Sequence, residues 1–248
     1  MLAECQQQGP PEMIKITLYP AAFGEPTASP FCMKALCMLA ASQMPYEVIE
    51  TPDPRKAPKG KLPIIDVDGQ VIADSEQIRA FIEDAADIDF DDGLSDRDRA
   101  ISRAVIRMVE EHIYFAIVAD RWGEDDNWVH VRETFFKDIP GLVRGIVTGF
   151  IRKQALQSLH GQGIGRHTPE ERYDRVRRDV IAIRDLLGEQ DFLFGSVPSA
   201  ADYSVVPMLR ASICTPVEKP LAKFIKNDPN LMAYVTRVTD RCYPDAVK

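Results

Sequence analysis

Ser29, Pro30, Phe31 and Cys32 place a hydroxyl and a thiol within one turn of an expected helix start. Serine supplies a cap there, and proline fits the first helical position because its missing N–H has no partner in any case. At such an end the Ser29 hydroxyl and the neighbouring N–H groups can hydrogen-bond a bound sulfur. Surroundings of that kind lower a thiol from ~8.5 to ~3.5–7.5. Read locally, Ser29 is an ordinary N-cap, and packing in the first turn is the commoner fate of a residue such as Cys32. Asp74-Ser75 opens a second helix. Ser75 presents a hydroxyl and free backbone N–H groups that favour a carboxylate, and Asp74 can pair with an ammonium. Ser75 as a plain cap and Asp74 as a partner of the helix dipole is the local alternative, and both readings can hold at once.

The elements that position these groups follow from periodicity. Ile14, Ile16 and Leu18 alternate with Lys15 and Thr17, the period of a half-buried strand. A helix is expected from Ser29-Pro30 to about Ser42, then a strand over 46–50. Residues 51–63 hold four prolines with Lys56, Lys59 and Lys61, and read as an irregular loop. Asp68-Gly69 between two apolar runs is a hairpin signal. A short helix over 75–84 follows, then an acidic linker over 87–94. Ser95 with Asp98 is a variant capping box, and an apolar face runs behind it to Trp122. Thr168-Pro169-Glu170-Glu171 starts another helix, stopped by Gly188. Ser199 with Asp202 caps a further one, a structural role.

The 248 residues carry a net charge of −8, with 45% hydrophobic and 27% charged residues, an ordinary globular balance that disfavours nucleic acid as a partner. No apolar run reaches the length of a membrane span; the best stretch, 141–151, contains Arg144. Residues 1–12 read as a short disordered tail with no secretory signal. Five cysteines in an odd, unclustered count point to reduced thiols inside the cell. His160 and His167 flank a glycine loop with no acid or cysteine pattern, so no metal is expected. Gly161-x-Gly163-x-Gly165 follows a helix rather than a strand and is no dinucleotide fingerprint. The arginines at 166, 172, 175, 177 and 178 alternate with acids and read as a solvated helix face.

Four features in one order, Ser29-Pro30-Phe31-Cys32, Lys61-Leu62-Pro63, Asp74-Ser75 and Ser199-x-x-Asp202, resemble the glutathione transferase superfamily over residues 13–245. The stretch 159–167 (Leu-His-Gly-Gln-Gly-Ile-Gly-Arg-His) further resembles its failed-axon-connections and metaxin branch. The resemblance implies an α+β thioredoxin-like domain over 13–86 and an all-α domain over 95–248. It implies glutathione as co-substrate, with Lys61, Leu62, Pro63, Asp74 and Ser75 holding it and Pro63 in the cis form. Ser29 would stabilise the glutathione thiolate for attack on a small electrophile. The electrophile pocket would lie between the domains near Tyr114 and Trp122, although any one such aromatic is more often core. It also implies a cytoplasmic protein and a homodimer joining the N-terminal domain of one copy to the helical domain of the other. Two other readings stay open: a non-catalytic, metaxin-like interaction module, and a thiol reductase in which Cys32 forms a mixed disulfide with glutathione.

Overall fold

The computed structural model describes residues 12–243, so the expected disordered tail lies almost wholly outside the described residues. Strand β1 (Ile14–Leu18) turns Ile14, Ile16 and Leu18 inward, as its alternation requires. Helix α1 (Pro30–Ser42) follows, and β2 (Tyr46–Glu50) returns parallel to β1. Within the loop 51–63 the one regular feature is a short 3-10 turn, Pro54–Lys56. Strands β3 (Ile64–Val67) and β4 (Gln70–Ala73) form the hairpin around Asp68 and Gly69, both at positive φ as a tight turn of this kind demands. The sheet order is β2-β1-β3-β4. Helix α2 (Ser75–Ala86) runs two residues past the expected end and stops at Asp87 in the left-handed region.

The second half is helical. Helix α3 (Asp96–Met108) begins at the Ser95 cap. It continues through a wide turn at Val109–Ile113, helix α4 (Tyr114–Val118) and a second wide turn at Ala119–Gly123. Wide turns of this sort re-aim side chains within a continuous rod. Next come α5 (Asp125–Phe135) and α6 (Gly141–Gln162), then α7 (Pro169–Leu187), α8 (Ala200–Ile213), α9 (Pro220–Lys226) and α10 (Pro229–Cys242). Two of the three expected capping boxes close, at Thr168 with Glu171 and at Ser199 with Asp202. At Ser95 the hydroxyl accepts from the Asp98 N–H, but the Asp98 carboxylate accepts from that hydroxyl rather than from the backbone. One core joins the two halves: α1 and the sheet pack with α3, α8 and α10.

The arginine-rich face of α7 is not wholly solvated. Arg172 is buried, bonding the carboxylate of Glu124 and the His167 carbonyl 3.0 Å away, with Asp120 at 3.7 Å. The acids that draw it in lie about fifty residues upstream, out of reach of a local charge pattern. Asp202 is buried too, accepting from the N–H groups of Ser199 and Leu193 at 2.8 and 3.1 Å and from the Tyr234 hydroxyl at 2.7 Å. No helix among the described residues is long and apolar enough to cross a membrane.

Candidate functional site

One row of the sheet fixes where the chemistry-bearing residues meet. Thr17 of β1 stands opposite Ile64 of β3, and Ile64 stands opposite Ala73 of β4. The chain leaves β1 here toward Ser29, enters β3 here from Leu62-Pro63, and leaves β4 here into Asp74-Ser75. All three segments therefore share one sheet edge, and α1 and α2 both start there with the positive ends of their dipoles.

Ser29 is the N-cap of α1, with extended backbone angles (φ −112°, ψ 124°). Its hydroxyl accepts from the Cys32 N–H at 3.4 Å, a long bond. The first-turn N–H of Phe31 has no intrahelical acceptor, as for any helix start. Cys32 is 0% exposed. Burial pushes its thiol up to about 11, against hydrogen bonds from the Tyr19 backbone, Ser29 and Thr27, so it is a neutral thiol at pH 7. Cys37 is also buried.

The Leu62-Pro63 peptide bond is cis. Both residues are buried, while Lys61 before them is exposed. Among the described residues no hydrogen bond engages the N–H or C=O of Leu62, which leaves a backbone edge open. Asp74 caps α2, accepting from the Glu76 N–H at 2.9 Å, with φ 97° and ψ 131°. That conformation is costly for a residue with a Cβ, of order 1–3 kcal/mol. The Lys59 ammonium lies 3.9 Å from the Asp74 carboxylate. Ser75 is buried, yet no hydrogen bond among the described residues engages its hydroxyl.

The helical half reaches this edge from above. Tyr114, set by the first wide turn, meets Phe31 edge-on with centroids 4.7 Å apart. Burial raises its hydroxyl pKa while the Arg121 charge opposes, so Tyr114 stays protonated. Trp122 packs instead against Trp128 of α5 and Phe136 just after it, at 5.4 and 6.2 Å. Of the two aromatics singled out from sequence, the structure brings Tyr114 to the start of α1 and gives Trp122 to α5.

Arg121 and Lys34 escaped the sequence reading. Arg121 is 7% exposed and donates to the carbonyls of Ala28 (3.3 Å), Ala211 (2.9 Å) and Cys214 (3.4 Å), with Phe23 under its guanidinium at 5.2 Å. Its Nε has no partner in the described chain, and none of its ion-pair distances falls within 4 Å. The Ala28 carbonyl belongs to the same peptide unit as the Ser29 N–H. Lys34 is 1% exposed and bonds Glu76 and Glu110. Its sequence signal is plain in hindsight: a single cation inside the apolar run of α1. Arg121 gave none, because its partners are backbone carbonyls. Among the described residues, no cluster of three or more histidines, cysteines and acids is placed to hold a metal ion.

Residues 30–128 match a glutathione S-transferase N-terminal domain, and residues 176–238 match a glutathione S-transferase C-terminal domain, leaving 129–175 between them. The chain is 30% identical to an isoprene-epoxide–glutathione S-transferase of Rhodococcus sp. (strain AD45), over 91% of this chain and 98% of that protein. It is 28% identical to Failed axon connections of Drosophila melanogaster, over 89% of this chain but 56% of that protein. Metaxin-1 of Mus musculus is 24% identical over 93% of this chain and 75% of its own length. Among solved structures, a beta-etherase from Sphingobium sp. strain SYK-6 superimposes with a TM-score of 0.60 at 18% identity, covering 92% of this chain and 95% of that one. Poplar glutathione transferase F1 gives 0.57 at 15%, covering 92% of each. The thioredoxin-like half, the helical half and the relative aligned along nearly its whole length agree: the chain belongs to the glutathione S-transferase family.

Proposed function

We propose that this chain binds glutathione along the shared sheet edge and activates its thiol at Ser29 for attack on a small electrophile. The observation that carries the reading is the convergence there of two helix starts, an open Leu62 backbone edge and the unengaged Ser75 hydroxyl. The Leu62 N–H and C=O suit an extended peptide, Ser75 and the α2 N-terminus suit a carboxylate, and Asp74 suits an ammonium. Lys59 and Lys61 stand near enough in sequence to meet the second carboxylate. The sulfur would then lie at Ser29, where a hydroxyl, a first-turn N–H and the buried charge of Arg121 all favour the thiolate. The electrophile would approach from the side of Tyr114 and Phe31. No covalent enzyme intermediate is needed; the bound thiolate is the nucleophile.

The reductase reading through Cys32 is the weaker one, since a buried neutral thiol attacks slowly. The interaction-module reading has one observation in its favour. Residues 51–63 form only a 3-10 turn, and β2 beside them is mostly exposed. Isothermal titration with reduced glutathione decides between module and enzyme. Binding in the micromolar to low-millimolar range supports the site; no heat at 10 mM removes it.

A further inference from the structure

Helix α6 carries its largest apolar side chains on the side turned away from the rest of the chain. Thr148 and Leu159 are its buried residues, and the half-buried Arg144, Ile151, Arg152 and Ala155 lie on that same inner side. On the outer side Leu142, Ile146 and Phe150 are 98%, 77% and 61% exposed, flanked by Val143 and Val147. Residues four apart stack into one ridge along a helix. A continuous apolar ridge of this kind marks an interaction site, unlike single exposed apolar residues.

Next to the ridge runs a groove. Gly141, Gly145 and Gly149 repeat at the same spacing, and a Cβ built on any of them meets nothing within 4 Å. Glycine weakens a helix interior, and no close approach within the described chain requires it here. We propose that this face is a two-fold interface with a second copy of the chain, each apolar ridge lying in the glycine groove of the other. Packing one row of residues four apart into another crosses two helices at about −50°. A two-fold axis needs just such a self-complementary surface.

Charge and area favour that occupant. The segment from 139 to 169 contains no aspartate or glutamate. Its two arginines on α6 are turned inward: Arg144 onto the carbonyls of Ile139 and Lys137, and Arg152 onto those of Trp122 and Gly123 and the Asp125 carboxylate. From Leu142 to Phe150 the ridge therefore bears no charge and suits its own copy, and the exposed Lys153 lies one turn beyond it. An anionic lipid surface would engage several cations aimed outward beside the apolar face, where α6 itself offers Lys153 alone. The five side chains expose on the order of 600 Å² per copy, so pairing two copies buries roughly 1,200 Å², the low end for a stable interface. The face lies within the 129–175 segment that neither family domain covers. It thus differs from the dimer the resemblance implies, and it is independent of glutathione binding.

Sedimentation velocity of the full chain from 1 to 100 μM tests the interface, with the variants Ile146→Glu and Gly145→Leu. Wild type should sediment at twice the chain mass at the upper concentrations. Ile146→Glu should sediment at half the wild-type mass with an unchanged melting temperature, since Ile146 is mostly exposed in its own chain. Gly145→Leu adds apolar surface and fills the groove, and should weaken the dimer at least tenfold. A wild type that stays single at 100 μM overturns the proposal, as does a dimer that survives both substitutions. Flotation of wild type, but not Ile146→Glu, with phosphatidylglycerol vesicles and without self-association would reassign the ridge to lipid.

Discussion

The Lys34 ammonium lies 2.6 Å from the Glu110 carboxylate, joining α1 of the thioredoxin-like half to the helical rod, with both groups nearly removed from water. Glu110 also accepts from the Ser204 hydroxyl at 3.2 Å and pairs with Arg107, while Lys34 also holds Glu76. Glu76 is itself held below the ordinary carboxylate range: burial opposes this, but Lys34, Arg107 and Arg79 outweigh it. Breaking such a pair from one side leaves a buried charge uncompensated. Lys34→Met should lose about 3–5 kcal/mol in urea unfolding. The double variant Lys34→Met/Glu110→Leu should recover part of that loss. Equal losses in single and double variants would show that packing, not charge, is at stake.

Asp202 offers a second stability test. It satisfies two buried backbone N–H groups and the Tyr234 hydroxyl, all in the core beneath α8. Asp202→Ala strands these three donors, and the Ser199 hydroxyl that also donates to it at 2.8 Å, at about 1–3 kcal/mol each, so a loss of roughly 3 kcal/mol or more is expected. Tyr234→Phe removes one donor together with its need, and should cost clearly less. Thermal melts of the two side by side check the ordering.

These two cases show what the sequence carried. The Ser199/Asp202 box was readable because both partners lie within four residues, and so were the Ser29 cap and the Asp68-Gly69 turn. Strand β1 was readable from its own alternation. Lys34 was not, because its carboxylates come from residues 76 and 110 and only the tertiary fold brings them together. Helix α6 was legible only as a helix without bounds before Gly161, for another reason. It has four glycines, no side-chain cap at Pro140, and apolar residues on inner and outer sides alike, which erases the contrast that betrays an amphipathic helix. The site segments were legible one by one; the row Thr17–Ile64–Ala73 that gathers them is a matter of strand register.

Asp120 predicts an unusual pH dependence. Burial raises its carboxyl to about 6, with Arg172 opposing and Glu124 adding to the rise. Unfolded, the group titrates near ~3.9. Between those values the folded state binds the extra proton, so this group's contribution to stability falls as pH rises from 4 through 6. Relative to wild type, Asp120→Asn should therefore gain stability on going from pH 4.5 to pH 7.5, by about 1–3 kcal/mol. Paired melting curves across that range measure the difference directly. Curves that stay parallel would show that Arg172 keeps Asp120 ionised throughout.

Ser29→Ala separates cap from chemistry. The cap bond is long, so the fold should lose no more than about 1 kcal/mol. The hydroxyl's bond to a thiolate is worth more, about 1.5–3 kcal/mol, or roughly ten- to hundredfold in kcat/KM. Glutathione affinity should change little, because in the proposed site Leu62, Asp74 and Ser75 hold the rest of the molecule. A variant with unaltered turnover takes Ser29 out of the reaction.

On the proposed reading Arg121 acts on the same thiol from behind, and its variants isolate the charge. The guanidinium pulls on the Ala28 carbonyl and so polarises the Ser29 N–H of the same peptide unit, while its own positive charge adds to the α1 dipole. The charged and titratable groups around it are few: Glu25, which is already paired with Arg210 at 2.6 Å, the Tyr114 hydroxyl and the Cys214 thiol. Burial lowers the Arg121 pKa, though not to neutrality for a guanidinium, so the cation persists. Arg121→Gln keeps donors for the carbonyls and removes the charge; Arg121→Lys keeps the charge and gives up the fork. With the cation gone, the bound thiol should titrate about one unit higher. The acid limb of the rate profile should move with it, so activity falls about tenfold at pH 6.5 and recovers by pH 9. The ultraviolet absorbance of bound thiolate reads that pKa without turnover. If Gln leaves the titration in place while lowering the melting temperature, Arg121 is only a clamp between α8 and the loop before Ser29; if Gln and Lys shift it equally, hydrogen-bond geometry and not charge sets the thiol.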